Sequence, residues 1–267
     1  MRVACWNVRG LSARYRRRYL SSWVRQHGSS VLIVVETKLS VISHACVRTL
    51  LRQPSFGFLP ANGVVGGILL ACSPPLMGVV VHVGRYSILA TLNGLWSNGP
   101  VLVTAVYGLC VGALRDQLWA ELHHKTSIIC LALLSSSPIT FGPSMSAFRS
   151  FVDEFSLFDV PLNNGMFTWS NNRNPPILRR LDCIFLSPEL FSAFPSSSLV
   201  LGPRHLSDHD SCSFPFFGVW LVPGVPGFVL SFGGFEMNHL WLLSLIGGLA
   251  PSMVGGLLSG SRGSCTP

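Results

Sequence analysis

Apolar positions in this chain recur at two spacings, two residues apart in short runs and three to four apart in longer ones. Residues 2–8 alternate over a strand length and end near Asn7, with Gly10 allowing a sharp exit. Residues 13–27 then put Tyr19, Leu20, Trp23 and Val24 on one face of a predicted helix and leave Arg14, Arg16, Arg17, Arg18 and Arg25 around it. Val31-Leu32-Ile33-Val34-Val35 is a continuous apolar run, the pattern of a strand buried on both faces, and it ends at Glu36-Thr37-Lys38. A helix over 41–52 follows, then strands over 66–71, 78–83, 86–92 and 101–107, whose short connections predict antiparallel pairing. Further on come a helix over 113–124 with Leu114, Leu118, Trp119 and Leu122 on one face, a strand over 126–134, and a helix over 144–157 that Ser144 can cap. Asn163-Asn164-Gly165 reads as a turn, Phe167-Thr168-Trp169 as a β-type triplet and 181–186 as the next strand. The pattern as a whole is strand-rich α/β.

Candidate chemistry sits at the ends of these runs. Glu36 stands where a buried strand delivers a carboxylate, and reads either as a ligand at a site or as a surface glutamate paired with Lys38. Asp182 lies inside an apolar run, where a carboxylate needs a partner; His209 is an obvious one. Ser207-Asp208-His209 combines a hard oxygen ligand for Mg²⁺ with an imidazole able to touch a phosphate oxygen or a water, although such a string also fits a solvated loop. The run Arg14-Tyr15-Arg16-Arg17-Arg18-Tyr19 reads either as a phosphate contact or as a solvated helix face.

Composition changes this picture in three ways. With 267 residues, 49% of them hydrophobic, the chain has ample material for a sizeable core and is not disordered. Only 11% of residues are charged, yet 19 Lys plus Arg against 11 Asp plus Glu give a formal +8, which favours polyanionic partners such as nucleic acid. The eight cysteines form no Cys-x-x-Cys and no zinc-spaced cluster, so they are expected to be free thiols in a reducing compartment. The N-terminus lacks the layout of a signal peptide, and an intracellular location, nucleus or cytoplasm, is expected. Residues 211–235 and 237–261 are uncharged windows long enough to raise the question of membrane spans. Their prolines and glycines and the lack of flanking Lys/Arg argue against that reading and for an apolar, poorly structured extension over 216–267.

Six strings carry a likeness that periodicity does not supply: Trp6-Asn7-Val8-Arg9-Gly10-Leu11, Glu36-Thr37-Lys38-Leu39, Val106-Tyr107-Gly108, Phe167-Thr168-Trp169-Ser170-Asn171-Asn172-Arg173, Arg180-Leu181-Asp182 and Ser207-Asp208-His209. In this order they resemble the endonuclease/exonuclease/phosphatase (EEP) superfamily. The Phe167–Arg173 string is similar to the apurinic/apyrimidinic-endonuclease-like domain of plant non-LTR (LINE-type) retrotransposons. The match spans about residues 1–215 and implies a DNase I-like four-layer α/β sandwich, two mixed sheets flanked by helices. It implies Asn7 and Glu36 at a Mg²⁺ (or Mn²⁺) site with Glu36 the direct ligand, and Tyr107 facing the scissile phosphate. Asp208 would belong to the metal and phosphate environment, and His209, oriented by Asp182, would bind or protonate a phosphate oxygen. Trp169, Asn171, Asn172 and Arg173 would meet DNA. No small-molecule cofactor and no protein partner is implied. One departure stands out: the resemblance calls for a Gly-Asp-Phe-Asn motif that activates the attacking water, whereas no carboxylate and no asparagine occurs between Glu121 and Asp153. The expectation is therefore a Mg²⁺-dependent DNA endonuclease domain impaired by that loss. The alternatives are a catalytically dead remnant that at most binds nucleic acid, and a membrane-associated protein using the tail.

Overall fold

The structure, a computed structural model, describes residues 2–63, 65–96, 99–108, 112–123, 143–215 and 228–233. The chain begins β1 (Arg2–Asn7), α1 (Arg14–Gln26), β2 (Val31–Val35), α2 (His44–Leu50), β3 (Ser55–Asn62) and β4 (Val65–Cys72). It continues with β5 (Met77–Val83), β6 (Ser87–Trp96), β7 (Gly99–Tyr107), α3 (Gly112–His123) and α4 (Pro143–Glu154). Short elements follow: β8 (Phe158–Asp159), β9 (Trp169–Ser170), β10 (Leu178–Arg179), β11 (Phe185–Leu186), α5 (Pro188–Ala193), β12 (Val200–Leu201), β13 (Cys212–Pro215) and β14 (Phe228–Gly233).

Two six-stranded mixed sheets result, ordered β12-β13-β1-β2-β4-β3 and β5-β6-β7-β14-β11-β8, with β9 and β10 as a separate hairpin. In the first sheet β1 and β2 run parallel, Val3 opposite Val31 and Asn7 opposite Val35, so both strands end on the same edge. Strand parity sends Ala4, Trp6, Leu32, Val34, Leu69 and Ala71 outward into a buried cluster with Leu20, Trp23 and Val24 of α1 and Val47 and Leu50 of α2. The opposite face meets the second sheet, closely enough that a Cβ on Gly57 would press on Val80 and Ile88. On the far side Trp119 of α3 packs at 5.7 Å from Phe148 of α4, and Phe148 meets Phe185 of β11 edge-on at 5.8 Å. Helix, sheet, sheet and helix form the four layers expected.

The expected strand over 126–134 and the segment where the water-activating motif would fall lie outside the described residues, as does the uncharged window 237–261. The extension expected over 216–267 does not hold for 228–233. This short apolar run between glycines and prolines pairs parallel to β7, Phe228 opposite Leu102 and Gly233 opposite Tyr107, and also meets β11, so the second sheet runs to Gly233. Among the described residues no helix is long and apolar enough to cross a membrane, and the cysteines at 46, 72, 183 and 212 are free thiols. Burial pushes the Cys183 and Cys212 thiols well up, which makes them small hydrophobes rather than nucleophiles.

Candidate active site

The parallel pair β1–β2 and the antiparallel pair β1–β13, with Cys5 opposite Cys212, carry Asn7, Glu36 and the 207–209 segment to one edge of the first sheet. The backbone there is unusual: Arg9, Glu36 and Lys38 have φ of 51°, 56° and 54°, in the left-handed region that side chains avoid. Neighbouring strands hold it. Thr37 N–H donates to Gly67 O at 3.1 Å, Lys38 N–H to Gly66 O at 3.0 Å, and Leu11 N–H to Thr37 O at 2.8 Å. Gly67, at φ 88°, must be glycine, because a Cβ would overlap Thr37 Oγ1.

Glu36 is 3% exposed, so it is no surface glutamate, although Lys38 Nζ does lie 3.2 Å from its Oε1. Arg9 holds the centre of the site. Its Nε and Nη2 donate to the two oxygens of Asp208 at 2.8 and 2.9 Å, and its Nη1 donates to Glu36 Oε1 at 3.2 Å. Burial pulls the Arg9 guanidinium down, but the Asp208 hydrogen bond and the Glu36 charge outweigh it and hold the proton more firmly than usual. Asn7 is fully buried; its Oδ1 accepts from Arg9 N–H at 3.2 Å, while its Nδ2 and Glu36 Oε2 are buried without a partner. Trp169 Nε1 donates to Asp208 Oδ2 at 2.7 Å.

Behind Asp208 lies a carboxylate–imidazole pair. His209 Nδ1 lies 2.8 Å from Asp182 Oδ2, both residues being buried, and Nδ1–H donated to the carboxylate leaves Nε2 as the other ring nitrogen, buried and unpartnered. Three side chains steady the pair. Thr168 Oγ1 accepts from the Leu181 and Asp182 N–H groups, each at 2.9 Å; Trp6 Nε1 donates to His209 O at 3.1 Å; and Ser207 Oγ, which donates to Asn7 O at 2.7 Å, accepts from His209 N–H at 3.1 Å. Arg180 closes the base of this region with a buried 2.7 Å ion pair to Asp159.

No protein-family model and no curated protein matches the sequence. Solved structures do match in fold. The endonuclease domain of TRAS1, a telomere-specific non-LTR retrotransposon, aligns with a TM-score of 0.57 over 80% of this chain and 97% of that one at 13% identity. A 3′-5′ exonuclease (NExo) from Neisseria meningitidis gives 0.57 over 82% and 100% at 18% identity. The AP endonuclease LMAP from Leishmania major gives 0.58 over 80% and 86% at 16% identity. The chain has the DNase I-like fold.

On this fold the remaining expected residues fall at different depths. Tyr107, at the end of β7, is buried with its ring over Gly66, which binds the Glu36–Lys38 turn from behind. Asn171 is spent on its own loop, its Oδ1 accepting from Arg173 N–H at 3.1 Å and Ile177 N–H at 2.8 Å, and of the four residues expected to meet DNA only Asn172 and Arg173 are exposed, at the hairpin tip. Trp169, half-buried, points its N–H at Asp208. Sequence reasoning carried Arg9, Thr168 and Ser207 only inside longer strings and gave them no role of their own; Arg9 lies within the Trp6–Leu11 string, directly after the strand that ends at Asn7. Beside the site, between α1 and α2, runs a groove walled by Arg14, Arg17, Arg18, Arg25 and Arg48 with Leu39 in its lining and no carboxylate.

Among the described residues no three His, Cys, Asp or Glu side chains cluster as metal ligands. Mg²⁺ does not require that, since it keeps several waters and is held by one or two carboxylates. The unpartnered, buried Glu36 Oε2, with Asp208 and Asn7 Oδ1 close by in the network of Arg9, is a hard-oxygen donor set that fits Mg²⁺ or Mn²⁺.

Proposed function

We propose that this EEP-fold chain is a phosphodiester hydrolase acting on DNA with Mg²⁺ or Mn²⁺, of the kind carried by LINE-type retrotransposons, and that its turnover is low. The observation that carries the reading is the junction at one sheet edge of Glu36 and Asp208 with a buried, correctly tethered Asp182–His209 pair. The retrotransposon lineage rests on the Phe167–Arg173 string and the likeness in fold to the TRAS1 endonuclease domain. Glu36 and Asp208, with Asn7, would hold the cation, which supplies charge neutralisation to an in-line displacement of the 3′ oxygen. Asp182 accepts from Nδ1–H of His209 and would support the imidazolium form, whose Nε2–H would bind or protonate a phosphate oxygen; because His209 is fully buried, neighbouring side chains would have to shift when a phosphate arrives. Tyr107 lies behind the turn that carries Glu36 and would face the scissile phosphate, while Trp169, Asn172 and Arg173 border the path of the strand.

Low turnover follows from the stretch between Glu121 and Asp153, which holds no carboxylate or asparagine to take the proton from the attacking water. Losing one member of a catalytic set removes orders of magnitude in rate because the groups act together. The same gap, with Arg9 lying across both carboxylates, favours a second reading: a non-catalytic remnant that binds nucleic acid inside the cell. Nicking of supercoiled plasmid separates the two. Slow Mg²⁺-dependent nicking that disappears in EDTA and in Glu36→Ala/His209→Ala supports the hydrolase; folded protein that nicks no faster than the double variant leaves the remnant.

A further inference from the structure

The carboxylates read above as metal ligands already share a cation. Both oxygens of Asp208 accept from Arg9, at 2.8 and 2.9 Å, and Oε1 of Glu36 accepts from the same guanidinium at 3.2 Å. A divalent ion between these groups meets a fixed positive charge, and like charges this close in a partly buried site repel strongly. Arg9 has somewhere to go, since a third of its side chain is exposed, at 34%. Its φ of 51° is costly for a side-chain-bearing residue, and strain of that kind persists where the surroundings enforce it.

We propose that Arg9 is a tethered cation that joins Glu36 to Asp208 in the metal-free protein and competes with the divalent ion for them, so that it sets the cation affinity of the site. It is a positioning residue, spanning the gap with its planar fork and giving way when the ion binds. The inference rests on Glu36 and Asp208 being the metal ligands.

Titration calorimetry with Mn²⁺ tests it on the full chain in four forms: wild type, Arg9→Asn, Arg9→Lys and Glu36→Gln. Asn tolerates the left-handed backbone and removes the charge. Arg9→Asn is expected to lower the Mn²⁺ dissociation constant about tenfold or more, with Arg9→Lys between it and wild type and Glu36→Gln not binding. In EDTA, Arg9→Asn should melt below wild type and recover when Mn²⁺ is added. Unchanged or weaker binding by Arg9→Asn, while Glu36→Gln abolishes it, overturns the role of Arg9 and leaves the metal site standing. Absence of binding in every form at millimolar Mn²⁺ overturns both. Should Arg9→Asn not fold, Arg9→Lys decides alone: tighter binding than wild type supports the competition, and equal or weaker binding overturns it.

Discussion

Asp208 is held from two sides, by the guanidinium of Arg9 and the indole N–H of Trp169. Burial pushes its carboxyl up, but the Arg9 hydrogen bond, the His209 charge and the Trp169 hydrogen bond outweigh burial and hold it below the usual carboxylate range. The sign of the pH effect follows. Between this lowered native value and an unfolded one of about 3.9, the unfolded chain binds more protons than the folded one. The contribution is complete above the unfolded value and is lost as pH falls through the native one. Urea unfolding in EDTA should show wild type losing stability on acidification more steeply than Asp208→Asn; parallel acid limbs would mean that the carboxylate is not held in the ionised form. Glu36 and Asp182 could be found in the sequence because each sits beside or within an apolar run, where a carboxylate needs a reason to be. Arg9 could not: it follows a short strand as an ordinary exposed arginine does, and its partner Asp208 lies 199 residues away.

The turn from β2 to α2 shows how an element carries the site. Its left-handed residues Glu36 and Lys38 are held by the backbone of Gly66 and Gly67 in β4, and Gly67 admits no side chain against Thr37. Gly67→Ala should therefore destabilise the fold by about 1–3 kcal/mol in equilibrium unfolding and weaken Mn²⁺ binding at Glu36. A variant with wild-type stability would show that the turn adjusts freely. At this scale the sequence was most legible where period and burial agree. All five residues of β2 are buried, and α1 buries Leu20, Trp23 and Val24 of the face expected. It was least legible where one polar contact replaces a ladder: the run 181–186 pairs as a strand only at Phe185–Leu186, because Thr168 Oγ1 takes the Leu181 and Asp182 N–H groups. Edge strand β3 was missed because partly exposed positions and Pro60 blur its period, and α5 because six residues show no helical period.

Across the whole molecule the positive charge is unevenly spent. Helix α1 opens with arginines at 14, 16, 17 and 18, no acidic residue in its first turn and no side-chain cap, which opposes the helix dipole. Two of these charges do local work: Arg16 donates to Val8 O and Leu206 O at 2.9 and 2.7 Å, and Arg17 donates to the carbonyls of Leu11 and Ser12, so both steady loops at the site. Arg14 and Arg18, with Arg48 of α2, are exposed, make no ion pair among the described residues, and face the groove that Leu39 joins to the Glu36–Lys38 turn. A local rule broken without a packing gain, beside a candidate phosphate site, makes this groove a candidate surface for a polyanion. The consequence is quantitative. Arg18→Glu/Arg48→Glu should weaken binding of a labelled DNA duplex in EDTA regardless of its sequence, and should reduce the slope of log affinity against log salt by about two, one for each arginine that no longer neutralises a phosphate. Because neither arginine bonds to Glu36, Asp208 or His209, thermal stability and Mn²⁺ affinity should stay at wild-type values. If the salt slope stays with them, the strand does not follow the groove, and these arginines are a solvated helix face.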